Sequence, residues 1–336
     1  MTRETMFVPT KRKNAVSYGQ ICFGAFSLFC MLLLLKNADI AIGSIKEGLA
    51  LCAKAVIPSL FPFMVLSELI LSGNLFQSLF KKLTYPLQAL FHLSSTGCRV
   101  LLMGLLCGFP IGARCAVKAY ESGQLSREET ERVLLFSNVP SSAFLINVVG
   151  VSLFQSYRLG LLLWGLVLSS SLLVGLFFCR WKKKKEDFHN MENPPSIQKS
   201  SNGAALFTGA VASATRSMIL VCAYVIFFSA LAGALNSVLQ VFHIPPFLQA
   251  LTFGILELSG GVNQAARLFE PHLAIPLCAF AAGWSGLSVH CQVLSVCEGR
   301  NLSFGNYFLA KLLQGILCAA FCIAFLHFMP VNFFSP

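Results

Sequence analysis

Gly108-Phe109-Pro110-Ile111-Gly112-Ala113-Arg114 breaks a helix and ends in a cation, yet it sits in an otherwise membrane-like chain. Hydrocarbon tolerates interrupted backbone only where protein covers it or where it lines a polar cavity. Such a break marks a site rather than a plain anchor. Glu257-Leu258-Ser259-Gly260-Gly261 forms a second break in the other half of the chain. Paired interruptions at corresponding places in two halves are the sequence mark of a transporter's binding region.

The surrounding composition agrees. The chain has 336 residues, of which 56% are hydrophobic and 12% charged, and its mean hydropathy is +0.71. Uncharged runs long enough to cross a bilayer include Asn14–Leu35, Val133–Tyr157, Leu159–Cys179, Ser217–Leu256, Pro271–Cys297 and Leu312–Pro336. The expected class is an all-α polytopic membrane protein. The net charge of +11 is concentrated beside spans, at Lys11-Arg12-Lys13 and at Arg180 with Lys182–Lys185. That placement marks the cytoplasmic side, and no folded basic domain is present to bind nucleic acid. The start of the chain resembles a signal peptide, but Lys36-Asn37-Ala38-Asp39 offers no small-x-small cleavage site. An uncleaved first helix with a cytoplasmic N-terminus is expected.

Metal and redox chemistry find no support. The 13 cysteines are scattered through apolar runs without a CxxC pair, and the 6 histidines lack a ligand spacing. No cofactor and no metal site are expected, and no nucleophile–base constellation points to an enzyme.

Charge placement sets the expected topology. If Gly97–Lys118 simply crossed the membrane, the Lys182–Lys185 run would fall outside. Reading Thr84–Lys118 as a re-entrant hairpin removes that conflict, with one missed span elsewhere as the alternative. The total is then about seven to eight spans, including broken helices. Residues 1–45 form the N-terminus and first helix, and residues 46–180 a first repeat. Residues 181–204 form a basic polar linker, and residues 205–330 a second repeat. Each repeat has a long apolar helix (Lys46–Gly73, Leu206–Gly233), a Gly-rich break, and a further unwound stretch. These stretches are Ser137-Asn138-Val139-Pro140-Ser141-Ser142 and Gly283-Trp284-Ser285-Gly286-Leu287-Ser288. The first repeat starts outside and the second inside, so the pattern is an inverted repeat.

Each motif has a plain structural reading beside the functional one. Gly104 and Gly108 could form a GxxxG helix contact. Arg114 either lines a site or anchors the cytoplasmic interface. Ser137–Ser142 either borders a cavity or is a kink whose carbonyls bond to serines. His290 reads as a satisfied bundle histidine. Glu257, isolated among apolar residues, either carries a coupling proton or pairs with Arg267 or Arg216; Glu68 is a second candidate. Ser126-Arg127-Glu128-Glu129 reads as a capping box at a solvated helix start, with Glu128 and Arg132 as an i,i+4 pair.

Three motifs in order carry a family resemblance: Ile57-Pro58-Ser59-Leu60-Phe61-Pro62-Phe63-Met64, the Gly108–Arg114 run, and Phe136-Ser137-Asn138-Val139-Pro140-Ser141-Ser142-Ala143-Phe144. Together they resemble the YlbJ (SpoVV) family of sporulation integral membrane proteins over roughly Lys46 to Met329. The resemblance implies two inverted nucleoside-recognition (Gate) repeats, related to those of concentrative nucleoside transporters. It further implies transport of dipicolinic acid across the outer forespore membrane. For a planar dianion, Arg114 or Arg216 and half-helix N-termini would suit the carboxylates, and Phe61 and Phe63 the ring. The expected partners are therefore a small anion and the lipid bilayer. The expected site joins Gly108, Pro110, Gly112 and Arg114 to Ser137, Asn138, Ser141 and Ser142. Facing them are Glu257, Ser259, Gly260, Gly261 and Ser285. A nucleoside or other small-solute permease, and a non-transporting scaffold, are the alternatives.

Overall fold

The computed structural model describes residues 18–72, 84–181 and 203–329. The basic runs at Lys11–Lys13, Lys81-Lys82 and Lys182–Lys185, with most of the polar linker, lie outside the described residues.

Every regular element among the described residues is a helix. Helix α1 (Tyr18–Lys36) and α2 (Ala38–Leu51) lead through a π-helical turn at Cys52–Val56 into α3 (Ile57–Ser72). Pro58 explains that turn. It has no N–H for the Lys54 carbonyl, and the Ile57 N–H reaches back five residues to the Cys52 carbonyl. A short helix α4 (Thr84–Phe91) then bends by 103° into α5 (Ser95–Cys107). After it come α6 (Ile111–Glu121), α7 (Arg127–Ser137), a second π-helical segment (Phe144–Leu153) and α8 (Tyr157–Trp181). The second half holds α9 (Gly203–Val241), α10 (Pro246–Leu256), α11 (Leu258–Leu268), α12 (Pro271–Trp284), α13 (Gly286–Cys297) and α14 (Gly305–Phe328).

Five helices are long and apolar enough to cross a membrane, or six if the bent α4–α5 pair is one span. The runs read from sequence gave a higher number for two physical reasons. Val133–Tyr157 is interrupted at Asn138–Ser141, which leaves only the short apolar helix Phe144–Leu153. The first helix has a short apolar stretch, Ile21–Lys36.

Two helical hairpins place the breaks. Helices α5 and α6 pack on each other across the Gly108 turn, and α10 and α11 do so across Glu257. In the first hairpin the arms touch glycine to glycine: a Cβ on Gly112 would sit 3.0 Å from the Gly104 Cα. In the second, a Cβ on Gly261 would sit 2.8 Å from the Gly254 nitrogen. Helix α8 covers the Phe144–Leu153 segment, α14 covers α12, and α2 and α3 lie along α9.

The polarity of the molecule is inverted relative to a water-soluble protein. Phe23, Phe29, Ile219, Phe227, Leu309 and Ile316 are more than half or close to half exposed, while Ser137, Asn138, Ser288, His290, Lys311 and Gln314 are fully buried. An apolar exterior around a polar interior is what lipid as solvent selects.

The Ser126–Glu129 start is built otherwise than the box requires. Ser126 Oγ accepts the Glu129 N–H at 3.1 Å. The Glu129 carboxylate, however, is buried and accepts the Ser94 N–H at 2.6 Å, at the start of α5. It therefore ties α7 to α5 instead of facing water. On the same helix start Arg127 also pairs with Glu131, at 3.0 Å.

The arm-to-arm glycine contact yields a direct test. Gly104→Val, whose side chain would enter the Ser137 backbone, should lower stability by at least about 2 kcal/mol. Gly165→Val, with open space around it, should change stability little. Thermal unfolding of the detergent-purified chains checks both.

Candidate functional site

Each hairpin tip seats on one broken helix. In the first half, Gly108 adopts φ +76°, which favours glycine, and a Cβ there would meet the Ser141 Cα at 2.8 Å. The Phe109 N–H donates to the Val139 carbonyl at 2.9 Å, so the tip satisfies backbone freed by the interruption. Pro110 is buried as the residue preceding α6. Gly112 and Gly104 close around the Ser137 carbonyl, 2.6 Å from a Cβ on Gly112.

The remaining carbonyls at the end of α7 find separate donors. Asn138 Nδ2 donates to Leu134 O at 3.1 Å, and Ser171 Oγ of α8 to Phe136 O at 2.5 Å. Lys311 of α14 donates its ammonium to Asn138 O. Ser141 Oγ accepts the Phe144 N–H at 3.2 Å and so caps the segment that follows.

The second half is built alike, from different residues. Glu257 lies between α10 and α11 in extended backbone, and its carboxylate accepts the N–H groups of Ser259 (3.0 Å) and Gly260 (2.5 Å). It thus caps α11, at the positive end of that helix. Against this tip lies the α12–α13 break, where Ser285 (φ 77°) and Gly286 (φ 79°) turn the chain. A Cβ on Gly286 would lie 2.9 Å from the Leu258 nitrogen. Trp284 Nε1 donates to Ile255 O at 3.0 Å, satisfying the end of α10.

Both tips, the α7 break and the start of α13 border one cavity. Phe109, Ser141 and Phe144 come from the first half, and Glu257, Ser259, Ser288 and Gln292 from the second; Val56, Leu60, Val221 and Val225 complete the wall. Ser288 Oγ and Gln292 Oε1 are buried with no hydrogen-bond partner, so they are open to a ligand. A second cleft, of about 200 Å³ beside Gly254 and Gly261, is lined by apolar side chains and glycine alone.

Of the residues expected at the site, Ser141, Glu257 and Ser259 line this cavity, and Gly108 and Pro110 shape the tip that supports Phe109. Gly112 and Gly261 hold the hairpin arms together. Ser137 and Asn138 sit behind the cavity at the end of α7. Ser142 is half-buried, Gly260 serves as a donor to Glu257, and Ser285 forms the turn.

Arg114 is placed elsewhere. Its guanidinium pairs with Glu68 at 2.7 Å and donates to Ser213 and Ser217 of α9, one turn before the cavity-lining Val221, and Arg114 is not itself among the lining residues. Arg216 and Arg267 are exposed, and among the described residues Glu257 has no ion pair with either. Phe63 is 47% exposed, so Phe109 and Phe144 are the aromatic rings at the cavity. His290 Nδ1 bonds Tyr307 Oη at 3.1 Å within an aromatic cluster.

Sequence reasoning missed Gln292, Lys311 and Gln314. Gln292 is one turn beyond Ser288 on α13, so helical spacing could have found it. Lys311 and Gln314 form an i,i+3 polar pair inside an apolar helix, bonded at 2.9 Å.

The Glu257 cap predicts a graded response. Glu257→Ala strips two buried N–H groups of their acceptor and should cost about 2 kcal/mol or more. Glu257→Gln keeps one acceptor oxygen and should cost less. Thermal unfolding of the purified variants gives the order.

No protein-family model matches this chain, and no solved structure is significantly similar to it. One curated relative is the sporulation integral membrane protein YlbJ of Bacillus subtilis (strain 168), 27% identical over 343 residues. The alignment covers 92% of this chain and 83% of that protein. With its apolar exterior and its spanning helices, the chain is an integral membrane protein whose sequence is similar to a sporulation integral membrane protein.

Proposed function

We propose that this chain is a secondary carrier for a small solute, working by alternating access around the cavity between the two hairpin tips. One observation carries the reading: Phe109 and Ser141 of one half face Glu257, Ser259 and Ser288 of the other across a single space. Carriers assembled from repeats place their substrate where discontinuous helices of both repeats converge. In this reading residues 46–180 and 205–330 are Gate-type repeats in inverted orientation, and the N-terminus faces the cytoplasm. The similarity to a protein named for sporulation supports a role in spore formation. Dipicolinate crossing the outer forespore membrane is the cargo that the family resemblance implies. Phe109 and Phe144 are the aromatic side chains that line the cavity and would face its ring.

A second cargo class has an observation in its favour. Among the described residues no lysine or arginine lines the cavity, and its polar groups include the Glu257 carboxyl and the open oxygens of Ser288 and Gln292. Those groups suit a neutral solute with N–H or O–H donors, such as a nucleoside.

Uptake into vesicles holding the purified chain tests both, with labelled dipicolinate and labelled nucleoside assayed in parallel. One of the two should accumulate. Ser288→Ala and Gln292→Met should each lower that uptake about tenfold while leaving thermal stability equal or higher, because each removes an unpartnered buried polar atom. Uptake of neither solute under any imposed gradient, by correctly folded protein, would favour a non-transporting scaffold instead.

A further inference from the structure

Lys311 is a fully buried amine on α14. Its ammonium donates to the Asn138 carbonyl and, at 2.9 Å, to Gln314 Oε1. Among the described residues no carboxylate lies within ion-pair distance of it. A buried charge needs compensation. Here the compensation comes from neutral oxygen dipoles, which is how a bound alkali cation is held.

The position matters as much as the ligands. Asn138 ends α7, where aligned peptide dipoles leave partial negative charge. Unwound carbonyls and the C-terminal ends of half-helices are where broken-helix carriers coordinate their coupling cation. The neighbouring carbonyls of Leu134, Phe136 and Val139 take only neutral donors. Two more oxygens close to this point, Ser137 Oγ and Asn138 Oδ1, are buried with no partner. The end of α7 is thus rich in oxygens, and among the described residues the charged donor that reaches it is the Lys311 ammonium, through Asn138 O and Gln314 Oε1.

We propose that Lys311 is a tethered cation, filling the place that a free sodium ion takes in carriers of this broken-helix design. Resting on the carrier reading, the inference names its ion requirement: the chain needs no Na⁺ to hold its structure or to move cargo.

The test uses the full chain purified in detergent, unfolded thermally in NaCl and in N-methylglucamine chloride at equal ionic strength. Wild type should unfold at the same temperature in both salts. Lys311→Ala should unfold lower in N-methylglucamine and recover by several degrees in NaCl, as the ion enters the vacated place. Lys311→Met, whose apolar stem refills the space, should stay low in both. A wild type stabilised specifically by Na⁺ overturns the proposal, as does a Lys311→Ala response no larger than that of Lys311→Met. If Lys311→Ala does not fold, vesicle uptake by wild type decides. Uptake unchanged when N-methylglucamine replaces Na⁺ supports the tethered cation, and a tenfold loss overturns it. Absence of uptake in every salt defeats the carrier reading alone, and the wild-type melting comparison then decides the cation question.

Discussion

Backbone carbonyls and N–H groups cannot be left bare in hydrocarbon, and this molecule interrupts its backbone repeatedly. Each interruption survives because another element supplies the missing bond. Phe109 N–H serves Val139, Ser171 serves Phe136, and Trp284 serves Ile255. At the most demanding ends the chain uses titratable side chains: the Glu257 carboxyl on the α11 amides, and the Lys311 amine on the Asn138 carbonyl just past α7. The close glycine contacts follow from the same need, since tips must reach broken helices within hydrogen-bond range.

This mutual capping decides which parts belong together. The first hairpin is bonded to the α7 break and the second abuts the α12–α13 break, so each half holds a hairpin and a broken helix as one unit. Between the halves lies the cavity, and Lys311 and Gln314 of α14 tie the second half to the Asn138 and Val167 carbonyls of the first. The Arg114–Glu68 pair, with Ser213 and Ser217, then fixes the first unit to α3 and α9.

Much of this was legible from residue types alone. Proline and glycine within apolar runs located the Gly108, Ser137–Ser142, Glu257–Gly261 and Gly283–Gly286 breaks, because their backbone chemistry is local. What a side chain does at a break is not local. Arg114 turned away from the cavity because Glu68, on a different helix, was there to pair with it. Glu129 left its own helix start because the Ser94 N–H lay within reach. Lys311 was passed over because it borders the uncharged run from Leu312, although the last helix, expected over Phe304–Met329 and found over Gly305–Phe328, carries it inward. Asn138–Ser141 divides a run that hydropathy alone reads as continuous, so among the described residues fewer unbroken helices are long enough to cross than there are apolar runs.

The length of α9 has a mechanical consequence. Its 39 residues extend roughly 58 Å, almost twice the ~30 Å hydrocarbon thickness. Even a tilt of about 40°, the upper end of what such helices adopt, takes up only about 26 residues. Roughly a dozen residues therefore stand clear of the hydrocarbon. Arg114 grips this rod at Ser213 and Ser217, so the first hairpin is anchored to the one described helix long enough to reach well past the hydrocarbon.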